Sequence, residues 1–222
     1  MSDTKPFFQA IQEGNSSAVE TLLASDPSLA SSINDRGQSA ILAAIYSGKT
    51  SIRDLFLAHG VQLQLHEAVA AGQLDKVKSL VGRRSELARG SSPDGFPLLA
   101  LASAFGHLGV AQYLFSHGAD VNAAASNGSG YTALTGAVTG GYRDIAAWLL
   151  EKSADANHRY GPGYSPLLAA SANGHLEIVR LLLDHGADPA ASTHDGQTAL
   201  LLAESRSHRP VAEFLRSRGL SA

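Results

Sequence analysis

Four places in this chain of 222 residues carry groups that catalysis or metal binding uses. His66-Glu67-Ala68-Val69-Ala70 begins like a zinc-protease helix, in which two histidines one turn apart hold the metal and the glutamate acts as base. Ala70 stands where the second ligand belongs, so half of the helical ligand set is missing. Gly161-Pro162-Gly163-Tyr164-Ser165-Pro166 is glycine-dense like a phosphate loop, but it lacks the third glycine, and Pro162 removes an amide that a phosphate needs. Ser129, between Gly128 and Gly130, and Ser165, after Gly163, do not complete a nucleophile elbow. The chain has no cysteine, which excludes disulfides and thiolate metal sites. No catalytic residue, cofactor or metal is expected, and the chain reads as a non-enzyme.

The elements that carry these groups repeat. The stretch from Gly163 to Asp188 has the pattern of two short amphipathic helices joined at Gly174, and the rest of the chain varies it. With that turn glycine as a ruler, marks fall at Gly14, Gly48, Gly72, Gly106, Gly141 and Gly174, with Ser207 in seventh place, so the steps are 34, 24, 34, 35, 33 and 33 residues. A period in this range means a stacked array rather than a globular core. Alanine stands four positions before every mark: Ala10, Ala44, Ala68, Ala102, Ala137, Ala170 and Ala203. Two apolar registers complete the expected core, Phe7, Ile41, Leu65, Leu99, Leu134, Leu167 and Leu200 before the turn, and Leu22, Phe56, Leu80, Leu114, Leu149, Leu182 and Leu215 after it. Helices of two to three turns do not persist alone in water, so stability must come from stacking. The histidines fall into this grid. His59, His117 and His185 share a second-helix end with Arg83, Lys152 and Arg218, where a basic group suits the helix dipole, and His107, His175 and His208 follow the turn.

These residues resemble the ankyrin repeat family. Its T-P-L-H opening is echoed in Ser39-Ala40-Ile41-Leu42, Thr132-Ala133-Leu134-Thr135, Ser165-Pro166-Leu167-Leu168 and Thr198-Ala199-Leu200-Leu201, and its G-A-D closing in Gly118-Ala119-Asp120 and Gly186-Ala187-Asp188. The resemblance implies an all-α solenoid of helix-turn-helix units with hairpin fingers and a concave face. It gives one domain over 1–222 with about seven units, near 4–34, 35–62, 63–91, 92–125, 126–158, 159–191 and 192–222, the first and last acting as polar caps. Departures from the family are informative. Its first-helix histidine survives only as His66, and the 24-residue step leaves no room for a finger between the second and third units. That notch is expected to open first. The 35-residue step lengthens the finger AAASNGSGY, whose glycine and serine content predicts a mobile tip.

In the family, the residue between the finger glycine and the T-P-L-like opening points toward the concave side. Here that position holds Gln38, Phe96, Tyr131, Tyr164 and Gln197, so three consecutive fingers carry aromatics. The residues just before the turn glycine face the same way and include Tyr46 and Phe105, with Glu13 and Asn173 at the flanks. Aromatics bury much area at low entropic cost and serve as interface anchors. Tyr46, Phe96, Phe105, Tyr131 and Tyr164 are therefore the expected partner-binding residues; the other reading has each ring packing along its own hairpin or on the next finger.

A protein partner held in the concave groove is the expected function, with a regulatory or small-ligand role beside an enzyme as the alternative. A net charge of −3 gives no field for nucleic acid or an anionic membrane. The basic cluster Lys76, Lys78, Arg83, Arg84 and Arg89 is interrupted by Glu86 and has no interleaved aromatics. The opening MSDTKPFFQAIQEG has no apolar leader core, and no apolar run reaches the length of a membrane span. A soluble, cytoplasmic monomer is expected.

Overall fold

The computed structural model describes residues 4–82 and 84–220, and among them it contains α-helices and no strand. Seven consecutive helix pairs follow one another: α1 (Lys5–Glu13) with α2 (Ser16–Ser25), α3 (Ala40–Tyr46) with α4 (Thr50–Ala58), α5 (Leu65–Ala70) with α6 (Leu74–Val81), α7 (Leu98–Ala104) with α8 (Leu108–Ser116), α9 (Ala133–Thr139) with α10 (Arg143–Glu151), α11 (Pro166–Ala172) with α12 (Leu176–Asp184), and α13 (Ala199–Ser205) with α14 (Arg209–Ser217). Arg83, expected at a helix end and in the basic cluster, lies outside the described residues. The chain divides into two compact units, one ending at Ala71 and the other starting at Gly72, so the division falls between α5 and α6.

Local chemistry explains where the helices start and stop. Ser39, Thr132, Ser165 and Thr198 each cap a first helix, their hydroxyls accepting from the backbone N–H three residues on at 3.3–3.4 Å. This is the physical content of the Ser/Thr opening position. At the other end, the turn marks adopt the left-handed conformation that favours glycine, and Ser207 adopts it too, at φ 62°. His59, His117 and His185 cap the second helices by donating from Nδ1 to the carbonyl four residues back at 2.8–2.9 Å.

In the N-terminal unit α1 packs on α2 and α3, and α3 on α4 and α5. In the C-terminal unit the first helices stack in series, α7 on α9, α9 on α11 and α11 on α13, each packed on its own second helix. All seven register alanines are buried. Gly136, inside α9, brings α9 close to α7: an added Cβ would meet the Ala100 carbonyl oxygen and the Ala104 Cβ at 3.0 Å.

The expected core holds with three corrections. Leu22, Leu65 and Leu80 are only half-buried. In α2 and α6 the buried residue is the next one along, Leu23 or Val81. These are the two helices that lead into a 3-10 turn, Pro27–Ser31 after α2 and Ser85–Arg89 after α6. Leu65 opens α5 directly after the connection without a finger, at the edge of the helix rather than inside it.

Fingers appear where a turn sequence permits them. Single antiparallel bridges pair Ile33 with Ser39, Ser91 with Pro97, Tyr160 with Tyr164 and Ser192 with Thr198. No bridge occurs between α4 and α5 among the described residues. The lengthened finger is tied to both neighbours rather than loose. Asn127 Nδ2 donates to the Asp94 carbonyl at 2.9 Å, its Oδ1 accepts from the Ser129 N–H and hydroxyl, and the Gly161 N–H reaches the Ser129 carbonyl at 3.2 Å. Asparagine, which forms turns with its own side chain, offsets the glycine content.

Candidate functional site

The fingers of the C-terminal unit carry a file of rings. Phe96 meets Tyr131 edge-on at 6.2 Å between centroids, Tyr131 meets Tyr160 at 5.1 Å, and Tyr160 meets Tyr164 at 6.3 Å. Phe96, Tyr131 and Tyr164, three of the residues singled out from sequence, are thus brought together and are half-buried. Each ring does pack on the next finger or across its own hairpin, but each also keeps part of its surface exposed.

Tyr160 joins the file without having been singled out. It lies directly across the Gly161-Pro162-Gly163 turn from Tyr164, with backbone bonds of 3.0 and 2.9 Å in both directions. Gly161 and Gly163 have φ of 50° and 86°, so the turn needs glycine on both sides of Pro162. The role of the glycine-rich stretch is therefore a hairpin tip. Burial and the neighbouring Tyr131 push the Tyr160 phenol above the ordinary tyrosine range, against a smaller opposite pull from the Thr139 hydroxyl. The phenol stays neutral at physiological pH.

Beside this file lies a cleft of about 320 Å³, near the lower end of ordinary ligand pockets. Tyr131, Tyr160, Tyr164 and Pro162 line it from the fingers, Ala169, Ala172 and Asn173 from α11 and its end, Thr139 from α9, and Arg206 from the turn after α13. Small residues on α11 make the room, because both alanines are themselves buried. Phe105 is half-buried at the end of α7 and is not part of this lining, and Tyr46 is half-buried at the end of α3 in the N-terminal unit.

The remaining sequence candidates have structural roles. The Glu67 carboxylate, buried, accepts the Gln64 backbone N–H at 2.7 Å at the start of α5. The histidines after the turn lie over the turn glycine of the preceding unit. An added Cβ would meet His107 at 2.5 Å on Gly72, His175 at 2.9 Å on Gly141 and His208 at 2.5 Å on Gly174. Tyr142 plays the same part on Gly106, and Lys49 on Gly14. His208 Nε2 also donates to the Ala172 carbonyl at 3.0 Å. Asparagines link the closing motifs: Asn122 donates to the Ser153 carbonyl and accepts from the Asp155 N–H, and Asn157 repeats this with Gly186 and Asp188. Among the described residues no helix is long and apolar enough to cross a membrane.

A family model described as ankyrin repeats in three copies matches residues 65–160 and 154–221. A stretch of 75 residues, 34% of this chain, is 45% identical to alpha-latrotoxin-Lh1a of Latrodectus hasselti. The chain spans about 5% of the length of that curated relative.

Proposed function

Because the chain belongs to the ankyrin repeat family, whose repeats generally serve as non-catalytic protein-protein interaction modules, we propose that it binds a protein partner through its concave face and hairpin fingers. The binding residues are Phe96, Tyr131 and Tyr164, with Tyr160 as their support and Phe105 as a further contact on the same unit; Tyr46, on the N-terminal unit, is a separate candidate. The observation that carries this reading is the continuous file of rings, three half-buried and joined through the buried Tyr160, beside an open, largely apolar cleft. Such rings gain area on binding without first having to be ordered. The surroundings favour recognition over catalysis, since the phenol at the centre is held neutral and a single charged side chain lines the cleft. The protein works as a soluble monomer in the cytoplasm, one array of about seven units.

The test is a paired capture from native lysate, comparing the wild-type chain with the Phe96→Ala, Tyr131→Ala, Tyr164→Ala variant, read by quantitative mass spectrometry. A partner enriched by the wild type and lost by the variant supports the reading. Partners captured equally by both overturn it.

A further inference from the structure

Arg206 forms one side of the tyrosine cleft, and its charge is unanswered. It stands just before the turn, in the register of Phe105 and Asn173, and is exposed. Its guanidinium donates to the Ala172 carbonyl oxygen at 3.2 Å, which holds the head group at the cleft. Among the described residues it makes no ion pair, whereas Arg216 is bound to Glu204 at 2.6 Å. One bond to a carbonyl leaves most of the five donors of the fork available, and that fork matches a carboxylate in two-point geometry.

Arg206 reverses the charge preference that the rest of the lining would have. Tyrosine faces alone attract cations. A guanidinium held at the same cleft repels them. What fits both parts is an apolar group for the rings with an anionic group beside it. The lining comes from three successive units, from Tyr131 through Tyr164 to Arg206, so the cleft runs along the repeats and suits a chain passing through.

We propose, on the premise that this cleft is the partner-binding site, that its occupant is an extended segment of the partner in which a large apolar side chain lies against Tyr131 and Tyr164 and a neighbouring aspartate or glutamate pairs with Arg206. The acid supplies selectivity and the apolar side chain supplies most of the affinity. A segment with lysine or arginine in place of the acid is rejected.

The test pans a phage-displayed library of random linear peptides against the full chain, with Arg206→Glu and Tyr131→Ala/Tyr164→Ala variants in parallel, their folding checked by circular dichroism and melting. The wild type enriches peptides with Asp or Glu next to a large apolar residue. Arg206→Glu weakens their binding by about tenfold or more and, panned afresh, selects Lys or Arg at that position. The proposal is overturned if the wild type selects basic peptides, if the acidic preference survives in Arg206→Glu, or if nothing is enriched. Peptides that require both tyrosines but show no charge preference remove the acidic segment and leave the binding face standing. Peptides indifferent to the tyrosines and to Arg206 remove both.

Discussion

The two compact units use their aromatic residues in opposite ways. In the N-terminal unit Phe7, Phe8 and Phe56 lie inside, with Phe7 edge-on to both others at 5.7 and 6.1 Å and Phe56 wholly buried. Its finger carries Gln38 where three of the four fingers of the other unit have a ring. In the C-terminal unit the first-helix core is aliphatic, built on Leu99, Leu134, Leu167 and Leu200; four rings stand on the fingers, while Phe115, Trp148 and the buried Phe214 sit on second helices. Phenylalanine thus acts as cement in the N-terminal core, whereas the finger rings of the other unit form a surface. The register largely decides which: seven before or eight after the turn is interior except at Leu22, Leu65 and Leu80, and one after the finger turn is half-exposed.

The sharpest way to break this comparison is at its interior end. Phe56→Ala should cost about 3–5 kcal/mol, and Leu167→Ala about 2–5 kcal/mol, because each leaves a cavity in a packed stack. Hydrogen exchange read segment by segment should show Phe56→Ala loosening amides before residue 72 more than those after it, and Leu167→Ala the reverse. Uniform loosening by both would mean the units do not differ in this way.

The finger rings should respond more mildly. Each edge-on pair contributes about 0.5–1.5 kcal/mol beyond its area, so the triple alanine variant at Phe96, Tyr131 and Tyr164 should retain its helical circular dichroism and melt only a few degrees lower. A loss as large as that of Leu167→Ala would make the file a packing device.

Tyr160 sharpens the contrast through pH. Its phenol titrates higher in the folded chain than the ordinary value near 10, so the unfolded chain loses this proton first as pH rises. The contribution is intact below about pH 10 and is lost as pH climbs toward the folded value. Tyr160→Phe should flatten the alkaline fall of stability, measured by urea unfolding at stepped pH. An unchanged slope would show that burial of this ring is not what the slope reports.

The smallest expected effect is at Ser207. A serine at φ 62° carries a steric cost that glycine avoids, so Ser207→Gly should raise stability by up to about 1 kcal/mol in thermal melts. No gain there would mean the left-handed turn is relaxed by its neighbours.

How much of this could be read beforehand follows from periodicity. The alanine register recurs at every unit and the turn glycine at six of the seven, so the helix pairs, their caps and most of the core were legible from spacing. The misplacements at Leu22 and Leu80 come from carrying a uniform ruler through two units whose second helices end in a 3-10 turn, which shifts the buried side by one residue. Three of the proposed site residues were found because they share a register. Tyr160 was not, since it precedes Gly161 and becomes central only when the Gly-Pro-Gly turn folds it back across from Tyr164; two tyrosines flanking a tight turn were the available signal. Gly136 was missed for a related reason, because a glycine inside a helix reads as a weakness until the neighbouring helix is in place.

The seating of His107, Tyr142, His175 and His208 over turn glycines has a consequence for how such a chain grows. Each of these contacts reaches back one repeat and no further, so the rule that builds it is the same wherever it is applied. A tandem duplication of one helix pair supplies both halves of the contact at once, a bare glycine for the unit that follows and a side chain for the unit before. Lengthening therefore demands no compensating change elsewhere, and the gene for such an array can expand by copying errors that would ruin a protein with a single shared core.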